Sequence, residues 1–210
     1  MGFASCTLWW FATSLKMQRK RRASLDFEAP EPCPFLRRFA TYIVGSNLDA
    51  PILDVACGAG RNAVFLAQSG RQVICIDKDL TELRMRCSSD PPRDNCCDNL
   101  QLCEMDLVHD PWPFGAGTAG AIISVHFLLP ALFPRFESSL LPGGYLLIET
   151  VPAHGGNYLE LPRAGELRFA FQRAFDFEYY RERKAGPGNY DAVTVQLFAK
   201  RRQLSDKPGL

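Results

Sequence analysis

The chain has almost no net charge. Its 24 lysines and arginines stand against 23 acidic residues, leaving +1, so no global field draws it onto a polyanion or an anionic membrane. A small-molecule partner is expected, and nucleic acid is unlikely. Long hydrophobic runs are also missing. Leu8-Trp9-Trp10-Phe11-Ala12 is far shorter than the roughly 20 apolar residues of a membrane span. The basic run from Lys16 to Arg22 follows that stretch instead of preceding it, the reverse of a cleaved signal. Eight cysteines are present without a single CxxC pair, which argues against a disulfide scaffold. Cys87, Cys96, Cys97, Cys103 and His109 lie close in sequence at spacings that match no common zinc pattern. Reduced thiols, a cytoplasmic location and no metal are expected, and no internal repeat points to a solenoid.

What remains is ordinary globular material: 210 residues, 47% hydrophobic and 22% charged, enough for one well-buried core. One domain is expected over residues 31–203, flanked by an N-terminal tail at 1–30 and a short C-terminal tail at 204–210. Phe35 to Val44 carries apolar residues at helical spacing. Pro51 to Ala56 is a short apolar run, followed by glycines and by a helix over Arg61 to Gln68. The unit repeats with Gln72 to Ile76, ending at Asp77, and a helix over Leu80 to Cys87. Further strands are expected at Leu100 to Met105, Ala119 to Val125 and Tyr145 to Val151. Near-continuous apolar runs suit parallel strands covered on both faces, so the expectation is an α/β fold, a Rossmann-like three-layer sandwich. Beyond Val151 come a loop, a helix around Glu166 to Arg173, and strands at Phe177 to Arg183 and Ala192 to Ala199. The turn Gly186-Pro187-Gly188-Asn189 makes those two an antiparallel hairpin.

In an open parallel sheet, ligands sit beyond the carboxyl ends of the strands. The first run ends in Gly58-Ala59-Gly60, where absent side chains admit a ligand to the backbone and the next helix offers its first N–H groups. The second ends in Asp77, a carboxylate suited to ribose hydroxyls, the third in Asp106, and the fourth in Ser124 and His126. A lone GxG is weak, but a GxG followed by acids closing the next two apolar runs is a specific order. That order also fits an NAD(P)-binding protein, because Gly58 to Ala63 satisfies G-x-G-x-x-G/A. Against a dinucleotide stands Asp54, an anion inside the first strand that a pyrophosphate would avoid and the cationic amino group of S-adenosylmethionine would seek. About 60 residues after the fifth strand are also too few for a dehydrogenase's substrate domain.

The stretch Leu53-Asp54-Val55-Ala56-Cys57-Gly58-Ala59-Gly60-Arg61-Asn62 resembles motif I of the class I S-adenosylmethionine-dependent methyltransferases. Its Cys-Gly-x-Gly-Arg-Asn form is similar to the tellurite-resistance-type subgroup. So are Pro111 to Phe114, Leu132 to Pro134, Leu141 to Gly144 and Pro162 to Leu167, which extends the resemblance from about Pro34 to Arg201. It implies S-adenosylmethionine as cofactor, with Asp54 toward the methionine amino group and Cys57, Gly58 and Gly60 along the methionine and ribose. It implies Asp77 on the ribose hydroxyls and Asp106 with the Leu107 backbone at the adenine edge. Ala56, Arg61, Asn62, Lys78 and Ser124 complete the expected cofactor-binding set. A mostly parallel seven-stranded sheet whose last strand is antiparallel is implied as well. One departure is visible, since Ala56 stands where the motif carries its first glycine.

Methyl transfer is an in-line displacement at carbon that mainly requires alignment in a dry pocket. His126 is the candidate general base because it closes the fourth strand and titrates near neutrality. His154, in a glycine-rich loop, and Tyr158, Glu166 and Arg168, where the subgroup carries its cap over the substrate, are weaker candidates. Phe127, Leu128 and Leu129 read as core. The expected activity is therefore an enzyme methylating a small molecule. The alternatives are a non-catalytic S-adenosylmethionine-binding module, an NAD(P)-binding protein, or methylation of RNA or protein suggested only by the basic run.

Overall fold

The computed structural model describes residues 31–46, 48–88, 97–150, 161–186 and 191–203. Residues 1–30, 89–96, 151–160 with the candidates His154 and Tyr158, 187–190 within the expected hairpin, and 204–210 lie outside the described residues.

Seven strands form one sheet in the order β3-β2-β1-β4-β5-β7-β6. They are β1 (Ile52–Val55), β2 (Val73–Asp77), β3 (Leu100–Glu104), β4 (Ala119–Val125), β5 (Leu140–Glu149), β6 (Phe175–Lys184) and β7 (Val193–Arg201). The first five pair in parallel, while β7 runs antiparallel to both β5 and β6. The implied seven-stranded Rossmann-like sheet is therefore observed, and β7 is its reversed strand. The order reverses between β1 and β4, which places a crevice at their carboxyl ends, the usual ligand position in such sheets.

The helices are α1 (Pro34–Val44), α2 (Arg61–Ala67), α3 (Thr81–Cys87), α4 (Phe133–Ser139) and α5 (Glu166–Phe171). The helix α4 was not expected from the sequence; Pro134 sits in its first turn, where a missing N–H costs nothing. Strand β5 begins at Leu140 instead of Tyr145 and ends at Glu149, because Leu140 already pairs with Ala119 across a register shift.

Alternation along β1 divides the core in two. Ile52 joins the cluster that holds Leu36, Phe39 and Ile43 of α1, Leu66 of α2 and Leu83 of α3. Leu53 and Val55 join the opposite cluster with Phe133 and Phe136 of α4 and Leu167 and Phe171 of α5. Both faces of the sheet are thus covered, which explains why its central strands lack polar alternation. Phe35, Leu36, Phe39 and Ile43 of α1 are all buried, each contributing about 1.5–3 kcal/mol. Phe39 stacks on Phe198 of β7 with centroids 4.4 Å apart. The residues Phe127, Leu128 and Leu129 pack half-buried against the second cluster. No helix among the described residues is long and apolar enough to cross a membrane.

Candidate active site

The residues after β1 turn sharply. Ala56, Gly58 and Gly60 all take positive φ, at 56°, 54° and 78°. For alanine this conformation costs roughly 1–2 kcal/mol, and such strain is concentrated at ligand sites. The departure from the glycine motif is thus tolerated by strain, with Ala56 holding a backbone conformation that glycine would adopt freely. The two glycines have different jobs. A Cβ built on Gly60 would strike Leu83 Cδ1 at 2.7 Å, whereas one on Gly58 meets nothing within 4 Å. Gly60 therefore lets α3 close on the turn, and Gly58 leaves open space above it. Helix α2 has only seven residues, so the turn's main offer is close backbone approach and not a strong helix terminus.

Hydrogen bonds tie the turn to β2. Cys57 N–H donates to the Ile76 carbonyl at 3.0 Å and Gly60 N–H to the Cys57 carbonyl at 3.0 Å. Asp77 closes β2 with its Oδ2 accepting Gly58 N–H at 2.8 Å and its Oδ1 accepting Asp79 N–H at 3.3 Å. Each carboxylate oxygen has a second lone pair, so Asp77 can fix the turn and still receive hydroxyl donors. Asp79 Oδ1 accepts Thr81 N–H at 2.9 Å, a local cap at the start of α3.

Asp54 is 1% exposed and sits between Cys75 of β2 and Ile123 of β4. Its Oδ2 is buried without a hydrogen-bond partner among the described residues. Burial pushes its carboxyl up to about 7; the Ala63 N–H opposes this, the Asp77 charge adds to it and Arg61 opposes it. A buried carboxylate oxygen without a donor is costly. Together with the open space over Gly58, it suits a cationic, hydrogen-bonding ligand, so these residues fit the amino-acid end of S-adenosylmethionine.

Asp106 follows β3 and is joined to the same edge, since Met105 N–H donates to the Asp77 carbonyl at 2.9 Å. Its Oδ1 accepts Val108 N–H at 2.9 Å, and its Oδ2 lies 2.8 Å from His109 Nδ1. The His109 hydrogen bond lowers the Asp106 carboxyl, and the same contact raises His109. The acid at the expected adenine edge is thus oriented by its own turn, with Leu107 buried beside it. Arg61 is half-buried and Lys78 exposed. Asn62 is buried, and its Oδ1 accepts Cys33 N–H at 2.9 Å, tying α2 to the entry of α1. The buried Ser124 hydroxyl donates to the Phe127 carbonyl at 2.9 Å, which shapes the loop after β4.

His126 begins that loop at φ 64°, again a strained value for a residue with a Cβ, costing about 1–3 kcal/mol. Its N–H donates to the Glu149 carbonyl at 2.8 Å, and its Nε2 lies 3.9 Å from Glu149 Oε2. The imidazole is 43% exposed and the Glu149 side chain 11%. Glu149 closes β5 and was missed in the sequence. A charge ending an apolar run marked Asp77, and the same signal was available at Glu149, but with β5 expected to continue to Val151 the residue fell mid-strand. At the far side, Glu166 begins α5 and its Oε2 accepts Arg163 N–H at 2.9 Å. The Arg168 guanidinium lies over the Tyr180 ring, 4.3 Å from its centroid. Both residues therefore have structural duties where the cap was expected.

A family described as "Methyltransferase domain" matches residues 52–144, the span from β1 into β5 that holds the turn, Asp77, Asp106 and His126. Solved structures share the fold. A geranyl diphosphate methyltransferase in complex with S-adenosylmethionine aligns at TM-score 0.58 and 13% identity, covering 78% of this chain and 84% of its own. TehB from Haemophilus influenzae aligns at 0.54 and 17%, covering 80% and 66%. A tRNA (m1A58) methyltransferase from Aquifex aeolicus aligns at 0.55 and 12%, covering 85% and 74%. No curated protein sequence matches the chain. The match over residues 52–144 agrees with the enzyme class and cofactor expected from the sequence.

Proposed function

We propose that this chain binds S-adenosylmethionine in the crevice at the carboxyl ends of β1, β2 and β4 and transfers its methyl group to a small-molecule acceptor. The observation that carries the reading is the buried Oδ2 of Asp54, without a hydrogen-bond partner among the described residues, beside a glycine turn that Asp77 holds open. Asp54 would receive the methionine amino group, and Cys57, Gly58 and Gly60 would line the methionine and ribose. Asp77, flanked by Lys78, would hold the ribose hydroxyls, and Asp106 with Leu107 the adenine. Ala56, Arg61, Asn62 and Ser124 would set the shape of the turn and of the loop after β4. When bound, the cofactor supplies a methyl group activated by positive sulfur. The chain's own task is then to align the acceptor and accept its proton, for which His126 at the rim is the best-placed group.

The tellurite-resistance-type subgroup is the finer assignment we favour, on the Cys57-Gly58-Ala59-Gly60-Arg61-Asn62 sequence and the likeness to TehB. A cytoplasmic location belongs to this reading, supported by eight cysteines without a CxxC pair. A small acceptor is favoured over RNA by the formal charge of +1, although the fold also serves a tRNA methyltransferase. Incubation with methyl-labelled S-adenosylmethionine and a panel of thiols, amines, phenols, oxyanions and unmodified tRNA tests this. Label in a small acceptor supports it; label only in tRNA replaces the acceptor class. Tight cofactor binding with no product across the panel would make the chain a binding module.

A further inference from the structure

Beside the cofactor turn the structure holds a second buried carboxylate that the reading above leaves without a task. Glu149 closes β5 opposite Val125, on the α1 face of the sheet, since Leu147 two residues earlier belongs to that core. Asp54 lies on the same face, its lateral partner in β4 being Ile123 of that core.

Among the described residues, three side chains meet the Glu149 carboxylate. Oε1 accepts Gln196 Nε2 of β7 at 2.6 Å. Oε2 accepts the thiol of Cys33, which is fully buried at the entry to α1, at 2.7 Å. His126 Nε2 lies 3.9 Å from the same Oε2. Of these, Gln196 is a neutral amide, and the Cys33 thiol is pushed up to about 11, by burial first and then by Glu149, so it stays neutral at physiological pH. Among the described residues His126 is thus the one group on this carboxylate that can become a cation near neutral pH.

We infer that Glu149 is the positioning residue of His126, its buried carboxylate turning the imidazole Nε2 inward and stabilising the imidazolium at the acceptor end of the crevice. The inference rests on the reading of His126 as the base. In the working site the acceptor's proton passes to the His126 imidazole, whose Nε2 faces Glu149. The positive charge gained by the ring is balanced by the carboxylate, which keeps its own protonation state. The backbone bond from His126 N–H to the Glu149 carbonyl and the left-handed φ of His126 point the same way, because they hold the loop where the two side chains face each other. At 11% exposure the Glu149 side chain is largely shielded from solvent, so its field on the imidazole is weakly screened.

The test is a proton NMR titration of the imidazole resonances in the full chain, with and without S-adenosylhomocysteine. The chain has three histidines, His109, His126 and His154, so single His→Gln variants assign them. In Glu149→Gln the His126 pKa should fall by about one, a tenfold loss of basicity, while His109 stays fixed. The acidic limb of the kcat/KM profile should move to lower pH by the same amount, with cofactor Kd unchanged. Glu149→Asp should restore part of the shift. Cys33→Ala removes a donor from Oε2 and should raise the His126 pKa, which gives an independent reading if Glu149→Gln does not fold. A His126 pKa that stays put in both folded variants, or that moves together with His109, overturns the inference. A shifted pKa with full kcat in His126→Gln upholds the pair and overturns the base.

Discussion

Asp54→Asn separates what the fold wants from what the ligand wants. The carboxyl is pushed from 3.8 up to about 7 by burial. Between those values the folded protein binds more protons than the unfolded chain, so stability falls as pH rises through this window and stays low above it. At 1.36 kcal/mol per pH unit, the ionised form costs about 4 kcal/mol. Asparagine removes that cost and keeps an acceptor for the Ala63 N–H, but it puts an unpaired NH₂ where Oδ2 now stands, at about 1–3 kcal/mol. The net gain is about 2 kcal/mol at pH 8, or roughly 4–8 °C in Tm for a domain of this size. At pH 4 the gain vanishes or reverses, because Asp54 is then protonated in the folded state. Thermal unfolding followed by circular dichroism across this pH range measures the difference. The same substitution should weaken S-adenosylmethionine at least about tenfold, as one charge-assisted hydrogen bond is worth roughly 1.5–3 kcal/mol. A variant less stable than the parent by an equal amount at both pH values would refute the reasoning, since the carboxylate would then carry no pH-dependent burial cost.

Other substitutions read the remaining parts of the site. Gly58→Ala adds a methyl group in open space at a positive φ, so it should lower stability by only about 1 kcal/mol yet reduce cofactor affinity at least tenfold in a calorimetric titration. Gly60→Ala meets Leu83 at 2.7 Å and should cost about 2 kcal/mol or more, seen as a lower urea midpoint. Ala56→Gly relieves the strain at φ 56° and should be neutral to stabilising by up to about 1 kcal/mol, the strain relief being partly offset by unfolded-state entropy; a clear loss in the urea midpoint contradicts this. Asp77→Ala should weaken S-adenosylmethionine at least tenfold, whereas Asp79→Ala, which loses the bonds to the Thr81 N–H and side chain, should leave the Kd unchanged; equal losses from two folded proteins would remove Asp77 from the ribose.

The parallel core was legible because period and burial agree there. Ile52, Leu53 and Val55 are all buried, and the following glycines and Asp77 announce the crevice. Asp54 stood out for the reason the structure supplies, an anion in an apolar strand. Helix α4 escaped notice because Pro134 reads as a break in the sequence, although it stands in the helix's first turn. The sequence could not reveal that the Ser124 hydroxyl turns to Phe127, that Asp106 is occupied by Val108 and His109, or that Asn62 caps a distant thiol residue. Such hydrogen bonds depend on loop geometry and not on residue type. Glu149 illustrates the same limit across long range, since two of its partners, Cys33 and Gln196, lie 116 and 47 residues away.

Calorimetric titration of the full chain with S-adenosylmethionine, S-adenosylhomocysteine and NADH tests the central claim most directly. The account predicts saturable one-to-one binding of the first two, abolished or weakened at least tenfold by Asp77→Ala, and no heat from NADH. Silence from both methionine-derived ligands at millimolar concentration, with NADH binding instead, would contradict it.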